Sequence, residues 1–103
     1  MIFVAVDENR VIGYCAGAIN IMPTADAVGL RPVKAGRVFD LYVDEQYRRQ
    51  RVGLELMNTI QTYFRQLQCK SMYLEVFAPN TKARKFYDKC GFKESTIDLK
   101  KSI

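Results

Sequence analysis

The stretch YRRQRVGLEL, residues 47–56, drives three arginines into the start of an apolar helical pattern. A helix N-terminus already carries partial positive charge from its unpaired N–H groups, so cations there are unfavourable unless an anion arrives. N–H groups at a strand-to-helix turn converge on phosphate, and arginines add bidentate donors that stay charged. Neither a Walker loop nor a GxGxxG fingerprint is present. The competing reading is a solvated basic loop in which Gly53 only eases packing. The chain has no histidine. That removes the commonest acid/base near neutral pH and any Ser-His or Cys-His nucleophile. Proton transfer would fall to carboxylates, tyrosine, lysine, cysteine or water. Two carboxylates stand inside strand-like runs, Asp40 in VFDLYV and Glu75 in MYLEVF.

The elements that must position these groups can be read from periodicity. Residues 2–6 (IFVAV) and 11–19 (VIGYCAGAI) are β-rich and separated by the polar turn DENR, which predicts an antiparallel hairpin. Residues 19–36, with two prolines and two glycines, read as a long irregular connection, and 37–43 as the next strand, mostly buried. Val52, Leu56, Met57, Ile60, Tyr63, Phe64 and Leu67 recur at spacings of three and four, the mark of an amphipathic helix. Residues 72–77 form a strand that APN breaks, and a second helix spans roughly 81–90. Asn80 is a good N-cap for it, Gly91 sits where a left-handed C′ residue is wanted, and Phe92 can pack back on Phe86 or Tyr87. KESTIDLKKSI reads as a closing strand. The order β-β-β-α-β-α-β implies an α/β (α+β) domain over residues 1–103. Its sheet is mixed, with a right-handed parallel crossover between residues 37 and 77.

Bulk properties narrow the function. A chain of 103 residues with a formal charge of +5 suits one compact domain with an anionic partner. No apolar run reaches the roughly 18 residues that a membrane span needs, and the start MIFVAVDENR has no signal-peptide layout. Three cysteines, odd in number and widely spaced, form no CxxC pair, so we expect no metal site and a reduced, cytoplasmic setting.

Two runs, taken together, resemble the GNAT superfamily of acyl-CoA-dependent N-acetyltransferases. That family carries a Gln/Arg-x-x-Gly-x-Gly/Ala loop, then a later Asn-x-x-Ala-x-x-x-Tyr-x-x-x-Gly-Phe run. Here Arg48-Arg49-Gln50-Arg51-Val52-Gly53 falls on the loop, and Asn80, Ala83, Tyr87, Gly91 and Phe92 match the second run. The resemblance covers about residues 37–92. It departs from the family at Arg51, where the first loop glycine is usual, and at the front, where the family has a further strand and helices. The fold it implies is GNAT-like but N-terminally short.

The resemblance implies acetyl transfer from acetyl-CoA to an amine. Backbone groups of Leu41, Tyr42 and Val43 would pair with pantetheine, and N–H groups of Arg49, Arg51, Gly53 and Leu54 would face the pyrophosphate. Arg48, Gln50 and Val52 complete that loop, and Asn80, Ala83 and Tyr87 would also contact the cofactor. Tyr87 would protonate the departing thiolate. Glu75 would be the base, with its pKa raised by burial, and Asp40 the runner-up. A non-catalytic acyl-CoA-binding or regulatory module is the alternative. Nucleic acid rests on charge alone and is not expected, since no recognition motif accompanies the arginines. An open first strand leaves room for a homodimer.

Overall fold

The computed structural model describes residues 1–26 and 29–103, with side chains outside 22–32. Strand β1 (Ile2–Asp7) turns through Glu8 and Asn9 into β2 (Arg10–Asp26). Both turn residues have positive φ, 49° and 64°, which matches the right-handed twist of the strands they join. β2 pairs antiparallel with β3 (Gly29–Val43). Helix α1 (Val52–Gln66) then crosses back, so that β4 (Ser71–Tyr73) lies parallel to β3. Helix α2 (Thr81–Lys89) follows. The sheet is mixed, in the order β1-β2-β3-β4.

Three elements differ from the expectation. The segment read as an irregular connection continues the hairpin instead, with Pro23 opposite Pro32 in the register; Ala27 and Val28 lie outside the described residues. The β1 side bonds β2 only as far as Gly17, through Met1, and the β4 side bonds β3 no further back than Lys34, through Lys70. Beyond those points β2 and β3 form a two-stranded ribbon with free outer edges, where a missing proline N–H breaks no ladder bond. The strand expected over 72–77 pairs only through Tyr73. The closing strand does not form: Ile97 and Leu99 alternate as a strand would, but both are exposed and meet no sheet edge.

The core lies between α1 and one face of the sheet. Leu56, Met57, Ile60 and Phe64 are buried from the helix side, and Cys15 and Val38 from the sheet. Each large apolar side chain removed from water there stabilises the fold by roughly 1.5–3 kcal/mol. Phe64 can pack against the strands because position 36 is glycine: a Cβ there would clash with the ring. Along β1, Phe3 and Ala5 turn toward the core, whereas Ile2, Val4 and Val6 alternate onto the other face and are exposed.

Candidate active site

The site begins where β3 and β4 part. Arg37 and Tyr73 form their last paired rung. In the register with β2, Val38 faces Gly17 and Asp40 faces Ala16, so Phe39 is left over as a bulge. A bulge bends the strand that carries it and reverses which residues point their amides to either side. Above it, Asp44 donates its N–H to Ile12 O at 2.7 Å. By alternation, Tyr42 also turns its amide to β2, while Leu41 and Val43 turn theirs to the split. Among the residues expected to pair with pantetheine, Leu41 and Val43 therefore have edge geometry for it and Tyr42 does not. Arg48 Nε already donates to Val43 O at 2.9 Å.

A cleft of about 180 Å³ fills the split. Asp40, Leu41, Glu75, Asn80, Ala83 and Tyr87 all line it, so the carboxylates and the tyrosine singled out in the sequence share one cavity. A larger hollow of about 380 Å³ lies between Phe3 and the Asn58–Gln66 flank of α1. It holds no ionisable group except Tyr63 and no residue of either motif, whereas the smaller cleft gathers both carboxylates and Tyr87.

Helix α2 presents Tyr87 to this cleft through caps at both ends. Asn80 Oδ1 accepts from Ala83 N–H at 3.1 Å, which satisfies a donor of the first turn. At the other end Gly91 adopts φ 95°, and its N–H bonds Asp88 O while that of Phe92 bonds Tyr87 O, both at 3.0 Å. That pair of bonds is a Schellman cap, and Phe92 packs edge-on against the Tyr87 ring at 5.8 Å. Tyr87 is half-buried. Burial pushes its phenol above the ordinary range, and Cys15, Cys90 and Asp40 add in the same direction. The group thus holds its proton through neutral pH.

Glu75 departs from the expectation. Burial was to raise its pKa, but its side chain is 74% exposed and pairs with Arg37 Nη2 at 3.1 Å. The strand that would have covered it ends at Tyr73. Asp40 is exposed too, and its Oδ2 accepts from Tyr14 Oη at 2.7 Å. That bond, chiefly, holds the Tyr14 phenol proton more tightly than usual. Arg37 and Tyr14 were not singled out as site residues; Arg37 sits on β3, which flanks the split, and Tyr14 on β2 beside it.

The basic loop lies at the other end of the split. A 3-10 turn over Glu45–Tyr47 leads from β3 into it. Arg48 folds back over the Tyr42 ring at 5.9 Å, and Gln50 Nε2 donates to Gln46 O at 3.2 Å. Arg49 and Arg51 both adopt φ 67°, in the left-handed region, and both side chains are exposed. Arg51 is the N-cap of α1 and caps it with no side-chain bond. The first-turn N–H groups of Val52, Gly53 and Leu54 are left for an external acceptor. Gly53 has a packing role as well: a Cβ there would come within 3.3 Å of the Phe86 ring of α2. Both readings of this glycine are compatible, because its Cα faces α2 while its N–H points along the helix axis.

Among the described residues no cluster of metal-binding side chains occurs, and no helix is long and apolar enough to cross a membrane. Comparison with known proteins adds the family. Residues 1–92 match the model of the Acetyltransferase (GNAT) family. The chain is similar to an N-alpha-acetyltransferase of Sulfurisphaera tokodaii, 34% identical over 103 aligned residues that cover 92% of this chain and 58% of that protein. In structure it resembles a mutant of the BH1408 protein of Bacillus halodurans, with a TM-score of 0.89 at 23% identity, over 99% of this chain and 64% of that one. It also resembles an aminoglycoside N-acetyltransferase solved with CoA, with a TM-score of 0.78 at 20% identity, over 99% of this chain and 75% of that one. The chain spans little more than half the length of the curated relatives that match most of it. With two motifs in order, a mixed sheet that splits beside them and a family match over residues 1–92, the chain belongs to the GNAT family of acetyltransferases.

Proposed function

We propose that residues 1–103 form one acetyltransferase domain that moves an acetyl group from acetyl-CoA to a primary amine. The acceptor is a small molecule, a lysine or a peptide N-terminus. The observation that carries this reading is the split after the Arg37–Tyr73 rung, whose cleft gathers Asp40, Glu75, Asn80 and Tyr87. Leu41 and Val43 offer strand-edge hydrogen bonds to the pantetheine amides, and the 48–54 loop offers N–H groups and arginines to the pyrophosphate.

The amine nitrogen attacks the thioester carbonyl, forming the N–C bond as the C–S bond breaks. Glu75, or a water it holds, takes the amine proton; Asp40 is the second candidate. Tyr87 gives its proton to the thiolate, and the products are an amide and free CoA. A phenol held protonated by burial suits that last step.

A second reading, an acyl-CoA-binding module without catalysis, is favoured by the exposure of Glu75 and its pairing with Arg37. The test is incubation with acetyl-CoA and a panel of amines, peptides and polyamines. Amine-dependent release of free CoA supports transfer; CoA binding without turnover supports the second reading. The three cysteines are free, as fits a cytoplasmic setting. The open β1 edge, with Ile2, Val4 and Val6 exposed beside it, would accept a second copy in a homodimer.

A further inference from the structure

The Arg37 side chain reaches from one arm of the split to the other. Its guanidinium lies 5.9 Å from the centroid of Phe39, the bulged residue of β3, and 5.7 Å from that of Tyr73 on β4. Its Nη2 donates to Glu75 Oε1 at 3.1 Å. The Tyr73 ring is itself held, because its hydroxyl accepts from Asn20 Nδ2 at 3.0 Å. Arg37 is only 30% exposed, whereas the carboxylate it grips is mostly in solvent. An exposed glutamate beyond the end of a strand has no packing to choose its rotamer. Here the only ion pair it makes among the described residues comes from the last residue of β3 that still pairs with β4.

We propose that Arg37 is a positioning residue for Glu75, an inference that rests on the base role given to Glu75 above. The aromatic rings of both arms fix the guanidinium plane, and the guanidinium fixes the carboxylate at the cleft lining. A planar, delocalised cation can stack on two rings and still present a donor edge; an ammonium cannot do both. Position 37 is thus specific for arginine, and its effect on the reaction passes through Glu75 alone. The pair contributes little to stability, as exposed ion pairs do.

The test is a double-mutant cycle with Arg37→Gln and Glu75→Gln, read as kcat and KM in acetyl-CoA turnover. Arg37→Gln should lower kcat about tenfold, within the roughly hundredfold that an ångström of misplacement can cost, and leave KM for acetyl-CoA unchanged. In the Glu75→Gln background the same change should have no further effect. Arg37→Lys should recover only part of the loss, and if Arg37→Gln fails to fold, Arg37→Lys takes its place in the cycle. Equal losses in both backgrounds, or none from Arg37→Gln, would overturn the proposal while leaving acetyl transfer standing. Glu75→Gln without loss overturns the base role and this proposal together. A parent chain with no turnover overturns the acetyl-transfer reading as well.

Discussion

Arg37 and Tyr73 face each other on the last rung of the parallel pair, and beyond them the two strands separate. The bulge at Phe39 lies two residues past that rung, and the cleft opens between the arms. One irregularity in one strand therefore creates the free edge, the cavity and the space in front of Tyr87.

Replacing Tyr87 by phenylalanine keeps its edge-on contacts with Phe86 and Phe92 and removes only the hydroxyl that carries the proton. Steady-state kinetics should show kcat reduced about 100-fold, the lower range for a lost acid, with CoA affinity unchanged. The sign of the pH effect follows from the raised phenol. The acid works while protonated, so parent activity falls only as pH climbs above the ordinary phenol range, and Tyr87→Phe abolishes that fall. An alkaline limb unchanged by the substitution would assign the acid elsewhere.

Arg51 occupies a left-handed position that glycine adopts at no steric cost. Arg51→Gly should raise stability by about 0.5–1 kcal/mol, the left-handed strain less the freedom that glycine adds to the unfolded chain. Calorimetric CoA affinity should fall in the same variant and become less salt-dependent, as one phosphate-directed cation is lost. A rise in both stability and affinity would show that the arginine is only a strained replacement.

Much of this was legible from sequence. The apolar stripe from Val52 to Leu67 marked α1, and Asn80 with Gly91 marked both ends of α2, because caps and periodicity are local signals. The co-location of Glu75, Asn80 and Tyr87 was expected only through the family resemblance. The exposure of Glu75 was not legible, since MYLEVF looks like a continuous strand and its pairing is ended by a bulge on a different strand. The long ribbon was missed because Pro23 and Pro32 read as breakers. Only pairing geometry shows that their outer edges need no donor.

Packing at position 36 offers a test of the core. Gly36→Ala would place a methyl inside the contact distance of Phe64 and should cost about 1–3 kcal/mol in denaturant unfolding. Combining it with Phe64→Leu should recover part of that loss, since the clash is with the ring.

Cys15 makes stability pH-dependent. Burial, with the nearby Asp40 carboxylate, pushes its thiol from 9.0 up to about 11. The folded chain then holds that proton more tightly than the unfolded one. The contribution is complete below pH 9 and is lost as pH rises through about 11. Thermal unfolding followed across that window should show a fall in Tm that Cys15→Ala makes shallower. Tyr87, also raised, sustains the remaining slope at the alkaline end.

The most direct measurement is release of free CoA from acetyl-CoA by the purified chain, with and without an amine panel, together with mass analysis of the amines. Acetyl transfer in the cleft predicts amine-dependent release matched by an acetylated amine, and strong loss of both in Tyr87→Phe. Acetyl-CoA binding with no amine-dependent release across the panel would contradict it.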